Sequence, residues 1–331
     1  MNLNKSRIGL ALSGGGIRAA IFHLGVMQYL AEERHFRRIT SISSVSGASL
    51  CIGAIFAAND NKWPSEKDFL NHVQNKVRNK ILNDSIQEES LARLPFHPEY
   101  WNHRVNLLAK MLSEKWGIKG SLQDLPAFPF WEINCTNFET GNSFRLRRDY
   151  MGDSTIGYVQ NPKLPIADMI AASAAFPVLI GPYVLKTQGM RFTKDKEGKL
   201  NEMQVKDHYT LWDGGVYDNL GIEALHKVGG GLDKEIDFLI VSNASAPIGI
   251  KERGRPIPNL KRLLDIATSQ VESLRTQEFF TDVVNANKGM YIKIGHTAQE
   301  YPTTLRSPSP KNFEMIFRNG YDNAKRVVNH R

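Results

Sequence analysis

The first twelve positions end in the apolar run 8–12, bounded by a polar start and a glycine run, which predicts a short buried strand. Beyond the glycines, Ile21, Leu24, Met27 and Leu30 recur at three-residue steps and predict a helix over about 19–33. A β-branched stretch at 37–45 reads as a second strand. It runs into small residues and then Leu50, Ile52, Ala54 and Ile55, a helix over 47–58. Strand, glycine turn, helix, strand, serine turn, helix is how a parallel α/β sheet begins.

The pattern changes over 60–125, which is charged, helical and rich in aromatic residues. Phe69, Val73, Val77 and Ile81 form one helical stripe; Leu94-Pro-Phe-His-Pro98 breaks it; Leu107, Leu108, Met111 and Leu112 follow. This segment reads as a helical insertion over one end of the sheet, serving as a lid, a membrane-facing surface or plain core packing. Strand patterns return at 131–136 and 142–146, on either side of an Asn137–Gly141 hairpin turn. A small-residue helix spans 165–175, and 189–206 is polar, an exposed hairpin or loop. A strand at 210–212 enters Asp213-Gly214-Gly215, with a helix expected at about 219–228. A strand at 236–242, an amphipathic helix at 258–280, a strand at 290–294 and a helix at 311–328 complete the pattern. Strands and helices interleave throughout, which predicts one α/β domain over 7–300, a mostly parallel central sheet flanked by helices. Residues 301–331 are expected to pack on it as a helical tail.

Composition adds little to this and excludes some classes. With 331 residues, 41% hydrophobic and 23% charged, the chain can build a real core. No run approaches the roughly 18 apolar residues of a membrane span. The N-terminus has no apolar signal region, so the expectation is a cytoplasmic protein, peripheral at the membrane, or one exported by a route without a Sec-type signal. Cys51 and Cys135 read as core residues without metal-ligand spacing, and no metal or cofactor is expected. The net charge of +8 points to an anionic partner: nucleic acid, an acidic protein or an anionic membrane surface. No reader motif supports nucleic acid. The clusters Arg34/Arg37/Arg38, Arg145/Arg147/Arg148 and Lys251/Arg253/Arg255 each read first as solvated surface charge.

Three turns carry candidate chemistry. Ser46 ends a strand and opens a helix among small residues, the shape of a nucleophile elbow, although Ser44 and Ala48 stand where G-x-S-x-G has glycine. A serine-capped helix is the alternative. Ser41, Ser43, Ser44 and Ser49 crowd the same turn; Ser49 fits an elbow poorly because Cys51 lies two places on. Gly14-Gly15-Gly16 precedes a helix, where free N–H groups and the helix dipole can hold a phosphate or an oxyanion, with Arg18 beside them. Asp213 sits at a strand end before two glycines. A serine nucleophile needs a base. Of the nine histidines, His23 reads as packed, and His208 and His226 flank the Asp213 strand and the helix expected after it. The order Ser46, Asp213, His296 makes His296 the alternative base. Gly14-x-Gly16-x-x-Ala19 also fits a dinucleotide fingerprint, but the second strand ends in Ser44-Val45-Ser46, without the acidic residue that holds a ribose.

Together, Ser13-Gly-Gly-Gly-Ile-Arg18, Ser44-Val-Ser-Gly-Ala48 and Asp213-Gly-Gly215 resemble the patatin-like phospholipase family. Two weaker segments, Ile133–Gly141 and Ala171–Pro177 with Gly181-Pro182, resemble family blocks in the same order. The resemblance covers about 7–245 and implies a single patatin-like domain and a serine–aspartate dyad. It makes Ser46 the nucleophile and Asp213 the base. The N–H groups of Gly14, Gly15 and Gly16 form the oxyanion hole, and Arg18 and Gly47 bind substrate or support the loop. The implied reaction is fatty-acid release from a glycerophospholipid through an acyl-enzyme, without a metal. The implied partners are a phospholipid surface and a regulatory ligand or protein. Ser44 departs from the family pattern, which has glycine there. A non-catalytic lipid-binding relative is the remaining alternative.

Overall fold

The computed structural model describes residues 5–101, 103–177, 180–227, 229–248 and 256–329. The chain begins β1 (Ile8–Leu12), α1 (Gly16–Glu32), β2 (Ile39–Val45) and α2 (Gly47–Ala58). Then α3 (Glu66–Asp68), a π-helical turn at Phe69–Val73 and α4 (Gln74–Asn83) run on from one another, followed by α5 (Ile86–Arg93) and α6 (Arg104–Glu114). Next come β3 (Phe130–Asn137), β4 (Ser143–Leu146), β5 (Tyr150–Asp153), β6 (Gly157–Gln160), α7 (Ile166–Ser173), β7 (Tyr183–Lys186) and β8 (His208–Asp213). The last stretch holds α8 (Gly215–Asp218), β9 (His226–Lys227), β10 (Gly231–Leu232), β11 (Phe238–Asn243), α9 (Pro256–Phe279), β12 (Gly289–Lys293), α10 (His296–Gln299) and α11 (Pro310–Asn329).

The main sheet runs β12-β11-β1-β2-β3-β4-β5-β6. The first five are parallel, and β3 to β6 continue antiparallel. Every residue of β1 and β11 is buried, as expected where helices cover both faces of a parallel sheet. The expected α/β architecture is therefore present. Sequence patterning missed β5, β6 and β7, which are only four residues each and half polar.

One strand differs from expectation in a way that matters. β8 is antiparallel to β3, so its Asp-Gly-Gly turn does not follow a parallel strand. β4 pairs with Ile133 to Thr136 of β3 along one edge. β2 and β8 therefore share the other edge: β2 pairs up to Asn134, and β8 takes over from Cys135. The two strands approach each other head-on along β3, and their carboxyl ends, Val45 and Asp213, oppose adjacent residues. The helix expected at 219–228 is also absent. Asp218 accepts N–H groups from Leu220 (3.1 Å) and Glu223 (2.9 Å) and closes α8 after one turn, and a small β9–β10 hairpin follows.

The 60–125 segment packs onto the helices that flank the first two turns. Phe69, Val73, Val77 and Ile81 are buried against α1 and α2. Leu107, Leu108, Met111 and Leu112 of α6 are buried where that helix meets α7. Each such side chain stabilises the fold by about 1.5–3 kcal/mol. The last helix, α11, crosses α1 at two glycines. A Cβ on Gly25 would lie 2.1 Å from the Phe317 carbonyl oxygen, and one on Gly320 would lie 2.1 Å from that of Phe22. Gly320→Ala should therefore force the helices apart and lower stability by about 1–3 kcal/mol. An unchanged thermal midpoint would contradict this crossing.

Candidate active site

The Ser46 turn shows the strain of an elbow. Ser46 has φ 52° and ψ −115°, a region an L-residue enters only when its surroundings hold it there. Its neighbour must be glycine, because a Cβ on Gly47 would sit 2.0 Å from the Gly16 carbonyl oxygen. A Cβ on Gly14 would meet the Ser46 Cβ at 3.2 Å, so the glycine loop lies directly against the serine. The two turns come together because β1 and β2 are adjacent parallel strands ending level, Leu12 beside Ser44.

A directed chain of buried hydrogen bonds holds the turn from below. Trp131 Nε1 donates to Ser44 Oγ (2.8 Å), which pairs with Ser49 Oγ (2.9 Å), which pairs with Ser173 Oγ (3.0 Å). Ser173 Oγ donates to the Asn134 carbonyl (2.8 Å) and accepts the Ser46 N–H (3.0 Å). Beside it, Asn134 Nδ2 donates to Ser43 Oγ (2.8 Å) and to the Ser44 carbonyl (3.0 Å). The serine crowding thus sorts itself. Ser43, Ser44 and Ser49 are fully buried and hydrogen-bonded, and Ser46 alone of the turn's serines retains appreciable exposure, at 9%. Ser44 also fits where the family has glycine, because its hydroxyl has a polar socket made by Trp131 and Ser49. Each of these bonds adds about 0.5–1.5 kcal/mol, while leaving one buried partner unmet costs about 1–3 kcal/mol.

Asp213 reaches the same point from the other side of the head-on junction. The Ser46 hydroxyl is near enough to its carboxylate to favour the charged form. Gly215 N–H donates to Oδ1 at 2.8 Å. Its own backbone is fixed by Thr136 Oγ1 donating to its carbonyl (2.9 Å) and by its N–H donating to Ala175 (3.1 Å). The side chain is buried, and burial pushes its pKa up to about 6, with the Gly215 N–H bond and the nearby Ser46 hydroxyl pulling partly back. No cation among the described residues offsets the burial, so Asp213 stays close enough to neutrality to take and return a proton.

The glycine loop divides its labour. The Gly14 N–H is already bonded to the Asn219 carbonyl (3.0 Å), so Gly14 supplies close approach to Ser46 and not a free donor. The Gly15 and Gly16 N–H groups meet no acceptor among the described residues. Gly15 (φ 139°) and Gly16 (φ 62°) hold backbone angles that suit glycine. Thr304 caps the next position: Ile17 N–H donates to its carbonyl (2.8 Å), and a Cβ on Gly16 would lie 2.6 Å from that oxygen. That contact takes up the Ile17 N–H, one of the helix-start donors that a pyrophosphate in the dinucleotide reading would use. Arg18 supports the loop. Buried, with burial pulling its pKa down to about 10, it donates to the carbonyls of Ala244 (3.2 Å), Gln299 (3.4 Å) and Tyr301. Beneath it, His23 is buried between the Ser13 carbonyl and Ser242 Oγ, both 2.9 Å away; burial takes its pKa to about 4 and keeps it neutral.

The other candidates lie elsewhere. His296, the alternative base, has 87% of its side chain exposed and faces Glu300 at 3.6 Å. His208 is exposed, and buried His226 sits 3.6 Å from Asp282. Arg145 and Arg147 are not solvated surface charges: both lie against Glu132, which Tyr150 also bonds (3.0 Å). Lys251, Arg253 and Arg255 fall outside the described residues. Sequence reading missed Asn134, Ser173, Asn219 and Thr304. Asn134 and Ser173 fall inside quoted segments, but their roles depend on partners far away in sequence.

A serine hydroxyl at a strained turn, a buried carboxylate beside it and free N–H groups next to it can carry out acyl transfer. A family model, patatin-like phospholipase, matches residues 10–226. No curated protein matches the chain. Among solved structures, human GIVD cytosolic phospholipase A2 with methyl γ-linolenyl fluorophosphonate superposes with a TM-score of 0.54 at 13% identity. That match covers 96% of this chain and 56% of the human one, so the chain spans little more than half the length of that relative. VipD from Legionella pneumophila matches at 18% identity and a TM-score of 0.47, covering 98% of this chain and 67% of VipD. At such identities the likeness to the human structure shows a shared fold.

Because burial raises the Asp213 pKa in the folded state, its favourable share of stability is present below the unfolded value near 4 and is lost as pH rises through about 6. Asp213→Asn should therefore melt higher than wild type at pH 8, by up to about 3 kcal/mol. The two should converge towards pH 4. A variant less stable than wild type at pH 8 would refute this burial cost.

Proposed function

The chain belongs to the patatin-like phospholipase family, and from that premise we propose that it is a lipid acyl hydrolase working through a Ser46–Asp213 dyad. The observation that carries the reading is the meeting of two opposed strands that brings the strained Ser46 turn and the buried Asp213 carboxylate to adjacent positions along β3, near enough for the serine hydroxyl to act on the pKa of that carboxylate. In this mechanism Ser46 Oγ attacks the ester carbonyl of a glycerophospholipid while Asp213 takes its proton. The oxyanion that forms is met by the N–H groups of Gly15 and Gly16. Asp213 then gives the proton to the departing lysolipid alcohol, leaving an acyl-serine. A water, deprotonated by Asp213, releases the fatty acid and regenerates Ser46. A base with a pKa near 6 is ionised at neutral pH yet weak enough to return its proton, which suits both halves of the cycle.

Family membership supports a lipid hydrolase; the glycerophospholipid ester and the acyl-enzyme are the finer part of the proposal. The net charge of +8 favours an anionic membrane surface as the place of action. Ser46→Ala and Asp213→Asn should each reduce fatty-acid release from phospholipid vesicles by about a thousandfold or more, with His296→Ala unchanged. For wild type, kcat/KM should fall as pH drops below about 6, because Asp213 becomes protonated. Retained activity in Asp213→Asn together with loss in His296→Ala would replace the dyad with a histidine-based triad.

A further inference from the structure

Helix α9 is turned the wrong way for a helix facing water. From Leu263 to Phe280 none of the exposed positions is charged. The large apolar residues on that outer face are Leu263, Ile266 and Leu274, exposed by 64%, 40% and 60%; Phe280, just past its end, packs beside Tyr291 with ring centres 5.4 Å apart. Neutral Gln270 and Gln277 lie on the same outer face. Two of the charged side chains, Glu272 and Arg275, are turned towards the body. The Glu272 carboxylate accepts from Asn243 Nδ2 (2.8 Å) and Asn219 Nδ2 (3.3 Å), and Arg275 sits 5.8 Å from the Tyr217 ring centre. A surface helix in water shows the reverse arrangement, apolar inward and charged outward. Leu263 to Leu274 alone span about 17 Å of helix, a stripe too long to be scattered surface leucines.

The inner face of this helix ties the stripe to the candidate site. Asn219, held by Glu272, is the residue whose carbonyl takes the Gly14 N–H beside Ser46. Phe138, which follows the carboxyl end of β3, is also exposed, by 69%.

We propose that the outer face of α9 is the surface by which this protein docks on an anionic phospholipid bilayer, lying in the interface with its leucines among the acyl chains. The proposal rests on the lipid-hydrolase reading for its choice of occupant. Neutral glutamines between the leucines suit the headgroup level of an anionic bilayer, which an acidic rim would oppose. The net charge of +8 gives the approach a long-range attraction to anionic lipid.

The test is co-sedimentation with vesicles of phosphatidylcholine containing phosphatidylglycerol, comparing wild type with the double variant Leu263→Glu/Leu274→Glu. Vesicle affinity should fall about tenfold or more, and hydrolysis of vesicle lipid should fall with it. Hydrolysis of a water-soluble short-chain ester should stay at the wild-type rate. Leu274→Trp should give a fluorescence blue shift on adding the vesicles. An unchanged vesicle affinity for the double variant, or no shift for the tryptophan, would overturn the proposal. So would a wild type that is a dimer in solution and a double variant that is a monomer, which would assign the stripe to a second copy of the chain. If wild type cleaves neither ester yet the binding difference persists, the docking face stands and the catalytic reading falls.

Discussion

Everything at this site depends on holding one serine in a backbone conformation that serine disfavours. Ser46 keeps its positive φ because its N–H is gripped by Ser173 from below and its successor, Gly47, is pressed against Gly16. The grip ends in Trp131 and the Asn134 carbonyl, so the strain is borne by a buried polar lattice on β3 and not by the turn itself. Such a lattice is effective because every member is satisfied; a half-satisfied one would destabilise the core it occupies. The opposed approach of β2 and β8 then places a carboxylate at the serine without a long connecting loop, so the two reacting groups are fixed by ladder hydrogen bonds on the same strand.

The molecule treats its buried charges in two contrasting ways. Glu132 is buried too, but Arg145, Lys196 and Arg147 outweigh the effect of burial and hold it in the charged form. Asp213 has no such company, and its carboxylate rises towards neutrality. The first arrangement makes a fixed ion cluster under the sheet. The second keeps a group near its titration point, which is what proton transfer asks for and what stability alone would not select.

Much of this was legible in the sequence, and the limits have a physical cause. The first two turns were readable because strand, glycine or serine turn and helix are all local patterns, and β1 and α2 fall where the hydrophobic period put them. Asp213 was readable as chemistry, but not the direction of its strand, since a six-residue run has no polarity in its pattern. The fit of Ser44 was not readable at all: its partner Trp131 is 87 residues away. Ser173 is likewise 127 residues from the N–H it holds, and composition cannot reveal a pairing at that range. The 219–228 helix failed because Asp218 closes the turn with its own carboxylate, a local competition that outweighs periodicity.

The contact between Thr304 and the glycine loop has a temporal side. Gly15 and Gly16 are made long before Thr304, yet the backbone that caps the adjoining Ile17 N–H arrives only with residue 304. Gln87 then bonds Thr304 (2.7 Å) and Leu305 (3.0 Å), and α11 locks onto α1 through Gly25 and Gly320. A nascent chain therefore carries its serine and its aspartate long before the loop beside them is secured. A site built this way comes into register only once residue 304 and the segment around it have been made.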